Sequence, residues 1–479
     1  MRLHVIVRYI GFILLFCSAF LFITFLIALV GHDSAIYATL YSFLICFLFG
    51  LFPFIFVPSA SYISRTEGFM IITLSWLIIC VIGTLPYMLY GGEFTFINAW
   101  FESVSGFTTT GSTILNDIEA LPKSLLFWRS ATHWIGGIGI IVFVLVILPN
   151  LGHARFVLLK AEQSALAETN FRFQTSKILQ ILVSVYLGLT FLETILLFFA
   201  GMNFFDALLH SFGTVATGGF STKNLSIAYY NNPVIEIIIM VFMVLSGIHF
   251  GFLYLSVIRR KLNLFSSFVV RYYIISILAG IVLVSGFLFI HHQYSFTESL
   301  RYSSFQVISL ASTTGFATID TANWAGFTQL ILLFFTLQCA CAGSTSGGIK
   351  VDRVVLFFKY IRTMIKKIHH PNAIILTRLD NEPIENDIIQ NSLLFISFYI
   401  LIVFFSSLLL TSMGLDNMTS FSASAATMGN VGPGFGAVSS LGNYSHLPDP
   451  AKIVLSVDML LGRLEIYGLI SLFMWKSLK

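Results

Sequence analysis

Four short stretches rich in glycine and hydroxyl residues recur along the chain: SGFTTTGST (Ser105–Thr113), GTVATGGFST (Gly213–Thr222), LASTTGFAT (Leu310–Thr318) and AATMGNVGPG (Ala425–Gly434). None carries a charge, so their chemistry falls to backbone carbonyls and hydroxyls. Converging carbonyl oxygens can replace the hydration shell of a monovalent cation, and glycine permits the torsions this needs. One such stretch alone reads as an ordinary turn. Four of them, recurring about every hundred residues, read as an internal repeat. The alignment that suggests itself superposes Gly111, Gly218, Gly315 and Gly432. The segments upstream, FINAWFESVSG (Phe96–Gly106) and FFDALLHSFG (Phe204–Gly213), then match with a slip of one residue.

A further run of small residues, CACAGSTSGGIK (Cys339–Lys350), interrupts an apolar stretch. It weakens any helix there and leaves backbone groups in need of partners. Two readings stand. One is close helix packing through small side chains. The other is a flexible intramembrane loop below the four stretches, a gate, with Lys350 directly after it. Arg463 lies in the last apolar run with Asp458 and Glu465, and a charge at that depth needs a partner. It is read as salt-bridged to one of these carboxylates, as part of the gate, or both. His133, His210 and His249 lack the spacing of metal ligands and read as packed histidines. Glu193 has no assignable partner.

Membrane helices must position these residues. Of 479 residues 57% are hydrophobic and 10% charged, with 50 Phe against 26 Lys+Arg and 22 Asp+Glu, whereas soluble domains carry roughly 25% charge. Apolar runs long enough to span lie near 9–31, 36–58, 68–90, 127–149, 176–200, 233–258, 267–290, 325–342 continuing past 349, 391–413 and 452–475. All are expected to be helices, since unpaired strand edges cannot face lipid. No room is expected for a large soluble domain. The first run follows Arg2 and Arg8, but it is too long for a signal-peptide core and no small-x-small cleavage site follows, so it reads as a retained span.

Alternating these spans from a cytoplasmic N-terminus puts Arg65, Arg155, Lys160, Arg172, Lys177, Arg259, Arg260, Lys261, the stretch Lys359–Arg378, Lys476 and Lys479 inside. Only Lys123, Arg129, Lys223, Arg301 and Lys452 fall on the opposite face, in keeping with the positive-inside rule. The net charge of +4 gives no case for nucleic-acid binding. Cys17, Cys46, Cys80, Cys339 and Cys341 sit in or beside apolar runs, which argues against disulfides or a zinc site.

The four loops, together with WRSATHWIGGIGI (Trp128–Ile140) and AGSTSGGIK (Ala342–Lys350), resemble the Trk/Ktr/HKT superfamily of potassium-translocating proteins, and within it the TrkH/TrkG type. The resemblance covers almost the whole chain, including two leading spans that the shorter Ktr type lacks. It implies an all-α polytopic membrane protein: four pseudo-symmetric span–pore-helix–span repeats around one ion pore, preceded by two extra spans. The corresponding boundaries are 1–60 for the leading pair, then 61–150, 151–262, 263–370 and 371–479 for the repeats. It further implies K+ binding by Thr109, Thr110 and Gly111; Ala216, Thr217 and Gly218; Thr313, Thr314 and Gly315; and Asn430, Val431 and Gly432. The family associates glycine at all four positions with potassium selectivity, and serine at the first with sodium-preferring members.

By the same resemblance a gate lies at Gly343, Ser344, Thr345, Ser346, Gly347, Gly348 and Lys350, with Arg463 beside it. Ser346 stands where the family commonly has glycine, and His133 and His249 replace amides. The expected assembly is a homodimer in the lipid of a bacterial inner membrane, both termini cytoplasmic, with a cytosolic nucleotide-binding regulatory subunit meeting the basic inner loops. No cofactor is expected beyond K+ as cargo, and no chemical catalysis. A Na+- or H+-coupled K+ symporter is the nearest rival. A polytopic membrane enzyme would want clustered His, Asp or Glu at one depth.

Overall fold

The computed structural model describes residues 2–58, 63–137, 139, 175–259, 267–373, 375–380 and 382–466. Among these residues six helices are long and apolar enough to cross a membrane: Leu3–Gly31, Ile36–Phe56, Thr66–Tyr90, Leu179–Phe199, Phe268–Ile290 and Asn386–Ser412. Their outer faces carry exposed Phe49, Phe52, Phe191, Val282 and Ile400. Large apolar side chains in such number suit lipid and would be a liability in water. The helices Lys123–Gly137 and Asp449–Arg463 begin two more expected spans. The second halves of those spans, towards 149 and 475, lie outside the described residues.

Two expected spans are broken. The run near 233–258 forms Pro233–Ser246 and a second helix from Phe250, turned by 107°. The run from 325 ends at Gln338, and helix resumes only at Val351, continuing to His369. The first break was not expected from apolarity, which stays high on both sides of the segment 246–251. The two breaks satisfy each other: Cys341 N–H donates to Gly247 O at 3.0 Å, and Phe250 N–H donates to Gly343 O at 3.1 Å. Freed backbone groups at this depth require such partners.

Between the long helices lie four short ones, Phe96–Phe107, Phe204–Val215, Phe296–Ala311 and Asn417–Met428. Each starts where a side chain caps its first turn. Thr95 accepts from Asn98 N–H, Asn203 from Asp206, Ser295 from Glu298 and Asp416 from Thr419. Such caps fix where a helix starts. At about 1.5 Å per residue none is long enough to cross a bilayer.

Their packing closes on itself. Phe96–Phe107 packs on Arg65–Gly83 and Lys123–Gly137, and also on Asp449–Arg463 from the far end of the chain. Phe204–Val215 sits between Thr175–Phe199 and Pro233–Ser246 and touches Lys123–Gly137. Phe296–Ala311 sits between Phe268–Ile290 and Gly326–Gln338 and touches Pro233–Ser246; Asn417–Met428 sits between Asn386–Ser412 and Asp449–Arg463 and touches Gly326–Gln338. Every short helix therefore meets its own flanking helices and the last helix of the preceding set. The helices Leu3–Gly31 and Ile36–Phe56 pack on each other, with Gly11 set against Gly50.

Candidate functional site

Where each short helix ends, the backbone repeats one conformation. The cap residues Thr108, Ala216, Ser312 and Gly429 keep φ between −75° and −84°. The next residue is left-handed in every case: Thr109 (φ 55°), Thr217 (55°), Thr313 (62°) and Asn430 (52°). Two positions later comes a left-handed glycine: Gly111 (φ 82°), Gly219 (80°), Gly315 (79°) and Gly432 (97°). The residue between them donates its N–H back into the helix end: Thr110 to Ser105 O, Gly218 to Gly213 O, Thr314 to Ser309 O and Val431 to Ala426 O, at 2.8–2.9 Å. The loops thus open as helix-terminating turns.

This conformation corrects the register of the second loop. Gly219, not Gly218, is equivalent to Gly111, and Ala216 is the helix cap, equivalent to Thr108. The second triplet is therefore Thr217, Gly218 and Gly219. With that shift Phe96–Phe107 and Phe204–Val215 superpose without a slip. The double glycine has two causes. Gly219 is needed for its torsion. Gly218 is needed for room, because a Cβ there would strike the buried His133 ring.

Three β-branched threonines at positive φ are genuine outliers. Such conformations cost of order 1–3 kcal/mol each and persist where the surroundings enforce them, typically at functional sites. Here the surroundings are the other loops. A Cβ on Gly111 would run into Gly218 O, on Gly219 into Thr314 O, on Gly315 into Val431 O, and on Gly432 into Thr110 O. Each left-handed glycine abuts the middle carbonyl of the next loop, and the fourth returns to the first. At the rim is a small cavity of ≈ 70 Å³ whose lining includes Gly111, Gly219, Gly315, Gly432 and Tyr444. The rim connections are tied together as well: Asn224 donates to Asp117 Oδ1 at 2.8 Å, which holds the Asp117 carboxyl below its ordinary range.

On the other side of the loops lies the stretch Cys339–Lys350. Cys339, Gly343, Gly348 and Lys350 have positive φ, so the small residues build an irregular loop and not close helix packing. It touches the second short helix and the fourth triplet: Thr345 Oγ1 donates to Val215 O at 3.1 Å, and Gly347 lies against the Asn430 carboxamide, while Gly348 packs within the loop against Cys339 Sγ. Ser344 and Ser346 share a hydrogen bond of 2.8 Å.

Arg463 joins this loop to the triplets. It donates to Thr345 O at 2.7 Å, Thr109 Oγ1 at 3.2 Å and Gly137 O at 2.7 Å, and also to Gly136 O. The last two are carbonyls of the final described turn of Lys123–Gly137, where the dipole favours a cation, and Gly136 O also accepts from Gly139 N–H at 3.1 Å. The carboxylates expected beside Arg463 are engaged elsewhere. Glu465 binds Lys350 and Arg353, each at 2.7 Å, and Asp458 accepts from Ser406 and Ser424. Glu193 is fully buried beside Thr214 of the second short helix. His133 donates from Nδ1 to Gly106 O at 2.7 Å and stacks on Phe220, a packed histidine as read from sequence.

Of the five basic residues expected on the outer face, Lys123, Arg129, Lys223, Arg301 and Lys452, the last four each have polar partners. Arg301 pairs with Glu236, Lys223 lies near Glu119 and Asp206, Lys452 is bonded to Asn98, and Arg129 is paired with Glu102. A carboxylate inside a short helix that abuts uncharged loops was the available signal for that last pair.

Known proteins agree with this architecture. The sequence model of the TrkH family, described as a cation transport protein, matches residues 38–477. The chain is 35% identical to the Trk system potassium uptake protein TrkH of Escherichia coli (strain K12) over 99% of both chains. It is 33% identical to TrkG of the same organism, again over 99% of both. The crystal structure of the potassium transporter TrkH from Vibrio parahaemolyticus superposes with a TM-score of 0.88 at 31% identity, covering 98% of each chain. The chain belongs to the TrkH family of cation transport proteins.

Proposed function

We propose that this protein carries K+ into the cell through a path bounded by the four loops. The observation that carries the reading is the closed series of glycine-to-carbonyl contacts, Gly111 to Gly218, Gly219 to Thr314, Gly315 to Val431 and Gly432 to Thr110. Carbonyls arranged in such rings, with four helix C-termini directed at them, suit a dehydrated monovalent cation. The selecting residues are then Thr109, Thr110 and Gly111; Thr217, Gly218 and Gly219; Thr313, Thr314 and Gly315; and Asn430, Val431 and Gly432. The domain scheme of two leading helices and four repeats follows from the same reading. The rim faces outward, both termini lie in the cytoplasm, and the membrane is the bacterial inner one. An inside-negative potential then supplies about 2.3 kcal/mol per charge per 100 mV.

The loop Gly343–Gly348, with Lys350 behind it and Arg463 holding Thr345 O, is the gate of this path. Movement of the loop would part Gly347 from Asn430 and free the inner mouth. The helix Val351–His369, basic in its last turn, continues from the gate and offers a lever to a cytosolic nucleotide-binding partner. Two copies of the chain form the working dimer.

Proteoliposomes with imposed gradients test the reading. K+ uptake should exceed Na+ uptake and persist without a Na+ or H+ gradient. Gly111→Ser should let Na+ compete, and an unchanged ratio would count against the assigned path. The coupled-symport reading rests on buried Glu193, and dependence of K+ uptake on either gradient would favour it.

A further inference from the structure

The buried pair Glu102–Arg129 lies directly behind the seam between the first and second loops. Arg129 is 1% exposed and Glu102 0%. Arg129 Nε donates to Glu102 Oε1 at 2.7 Å, Nη1 to Ser221 O at 3.1 Å and Nη2 to Thr113 Oγ1 at 3.2 Å. Its guanidinium also lies 3.9 Å from the centre of the Phe220 ring. Glu102 in turn accepts from Thr113 Oγ1 at 3.0 Å and from Ile114 N–H at 3.1 Å. One ion pair therefore grips the first loop just past Gly111 and the second just past Gly219.

The other loops have weaker versions of this support. In the register set by the left-handed glycines, His210 matches Glu102 and Ser221 matches Thr113. His210 Nδ1 faces Asp206 O, which can only accept, so Nε2 accepts from Ser221 Oγ at 2.9 Å. Gln306 takes the place in the third repeat and donates to Ile319 O at 3.2 Å. In the fourth it is Ala423, which has no side-chain polar group. The strongest support, and the charged one, belongs to the seam where Gly111 meets Gly218 O.

We infer that Glu102 and Arg129 are positioning residues for ion selection, fixing the spacing of the first two loops through the forked guanidinium. The inference rests on the assignment of the four loops as the selecting path. A carbonyl ring discriminates between ions only while its oxygens keep their separation. Two loops clamped from behind by a rigid, multiply bonded fork cannot close on a smaller ion. Neutralising Glu102 needs only a cation, whereas holding both loops needs the planar fork of arginine, since lysine supplies a point charge.

The test compares Arg129→Lys, Thr113→Val and Gly111→Ser by K+ and Na+ flux in proteoliposomes, with melting temperature of the purified protein measured alongside. Arg129→Lys preserves the charge, so it should fold and transport K+, but its K+/Na+ ratio should fall about fivefold or more as the fork is lost. Thr113→Val removes the hydroxyl between the two charges and should lower the ratio about twofold. It also decides the matter if the lysine variant fails to reach the membrane. Parental ratios in Arg129→Lys and Thr113→Val, with Gly111→Ser lowering its own, would overturn the positioning role and leave a purely structural ion pair. A parental ratio in Gly111→Ser would instead overturn the loop assignment itself.

Discussion

The sharpest prediction distinguishes the two adjacent glycines of the second loop. Gly219→Ala places a methyl group on a residue at φ 80°, against the backbone carbonyl of Thr314. The left-handed torsion alone costs about 1–2 kcal/mol for an L-residue. The carbonyl cannot yield without moving the third loop. Since 1.4 kcal/mol is about tenfold in an equilibrium, the parental loop geometry should be disfavoured about tenfold or more, and K+/Na+ discrimination should fall with it. Gly218→Ala meets a different obstacle, the His133 ring, and has no positive φ to satisfy. That obstacle is a side chain and can be shortened: His133→Asn keeps a donor for Gly106 O while making room. The double variant Gly218→Ala/His133→Asn should therefore recover much of the selectivity that Gly218→Ala loses, whereas His133→Asn should do nothing for Gly219→Ala. K+ and Na+ uptake in proteoliposomes measures all four. Full selectivity in Gly219→Ala would refute the register read from the backbone.

Three further outcomes are expected. Arg463→Gln removes a charged donor from Thr345 O, a bond worth about 1.5–3 kcal/mol, and should raise K+ flux about tenfold or more if the loop must leave for ions to pass; parental flux would sink the gate. Glu193→Gln should leave the K+ flux and its independence of Na+ and H+ gradients intact, and a loss of flux would revive coupling. Asp416→Ala should lower thermal stability by about 0.5–2 kcal/mol through loss of the cap on Asn417–Met428. Hydrogen bonds from Thr419 hold the Asp416 carboxyl below its ordinary range. Its contribution is thus present above the unfolded-state pKa and lost as pH falls through the lowered one. Melting curves from neutral to acid pH should therefore converge between parent and variant.

Much of the fold was legible because lipid imposes a simple pattern. Long apolar runs such as 36–58 and 391–413 have one outcome in a bilayer, so the helices Ile36–Phe56 and Asn386–Ser412 came out within a few residues of expectation. The bend after Ser246 was not legible, because it depends on hydrogen bonds to Cys341 and Gly343 that lie about a hundred residues on in sequence. Apolarity reports that a segment is in the membrane. It does not report whether a neighbouring loop can satisfy a broken helix.

The site divides along the same line. Recurrence at four matched positions, not composition alone, singled out the four loops, and aligning their glycines pointed to 111, 315 and 432. That alignment failed at GG, where two glycines serve different needs and only torsion separates them: Gly219 turns the chain, while Gly218 makes way for His133. At Arg463 the sequence was an incomplete guide, where proximity offered Glu465 or Asp458 beside a place at the gate. In space the arginine meets the carbonyls that end Lys123–Gly137, and Glu465 is taken by Lys350 and Arg353. That gap has a physical origin. A backbone carbonyl is present at every position, so the sequence does not mark which carbonyls the fold turns toward a cationic side chain such as Arg463. Helix ends, where four carbonyls lack intrahelical partners, supply them. The arginine and the proposed path for K+ thus draw on the same resource from opposite sides of the loops, and Arg463→Gln should disturb ion passage even though no transported ion need touch it.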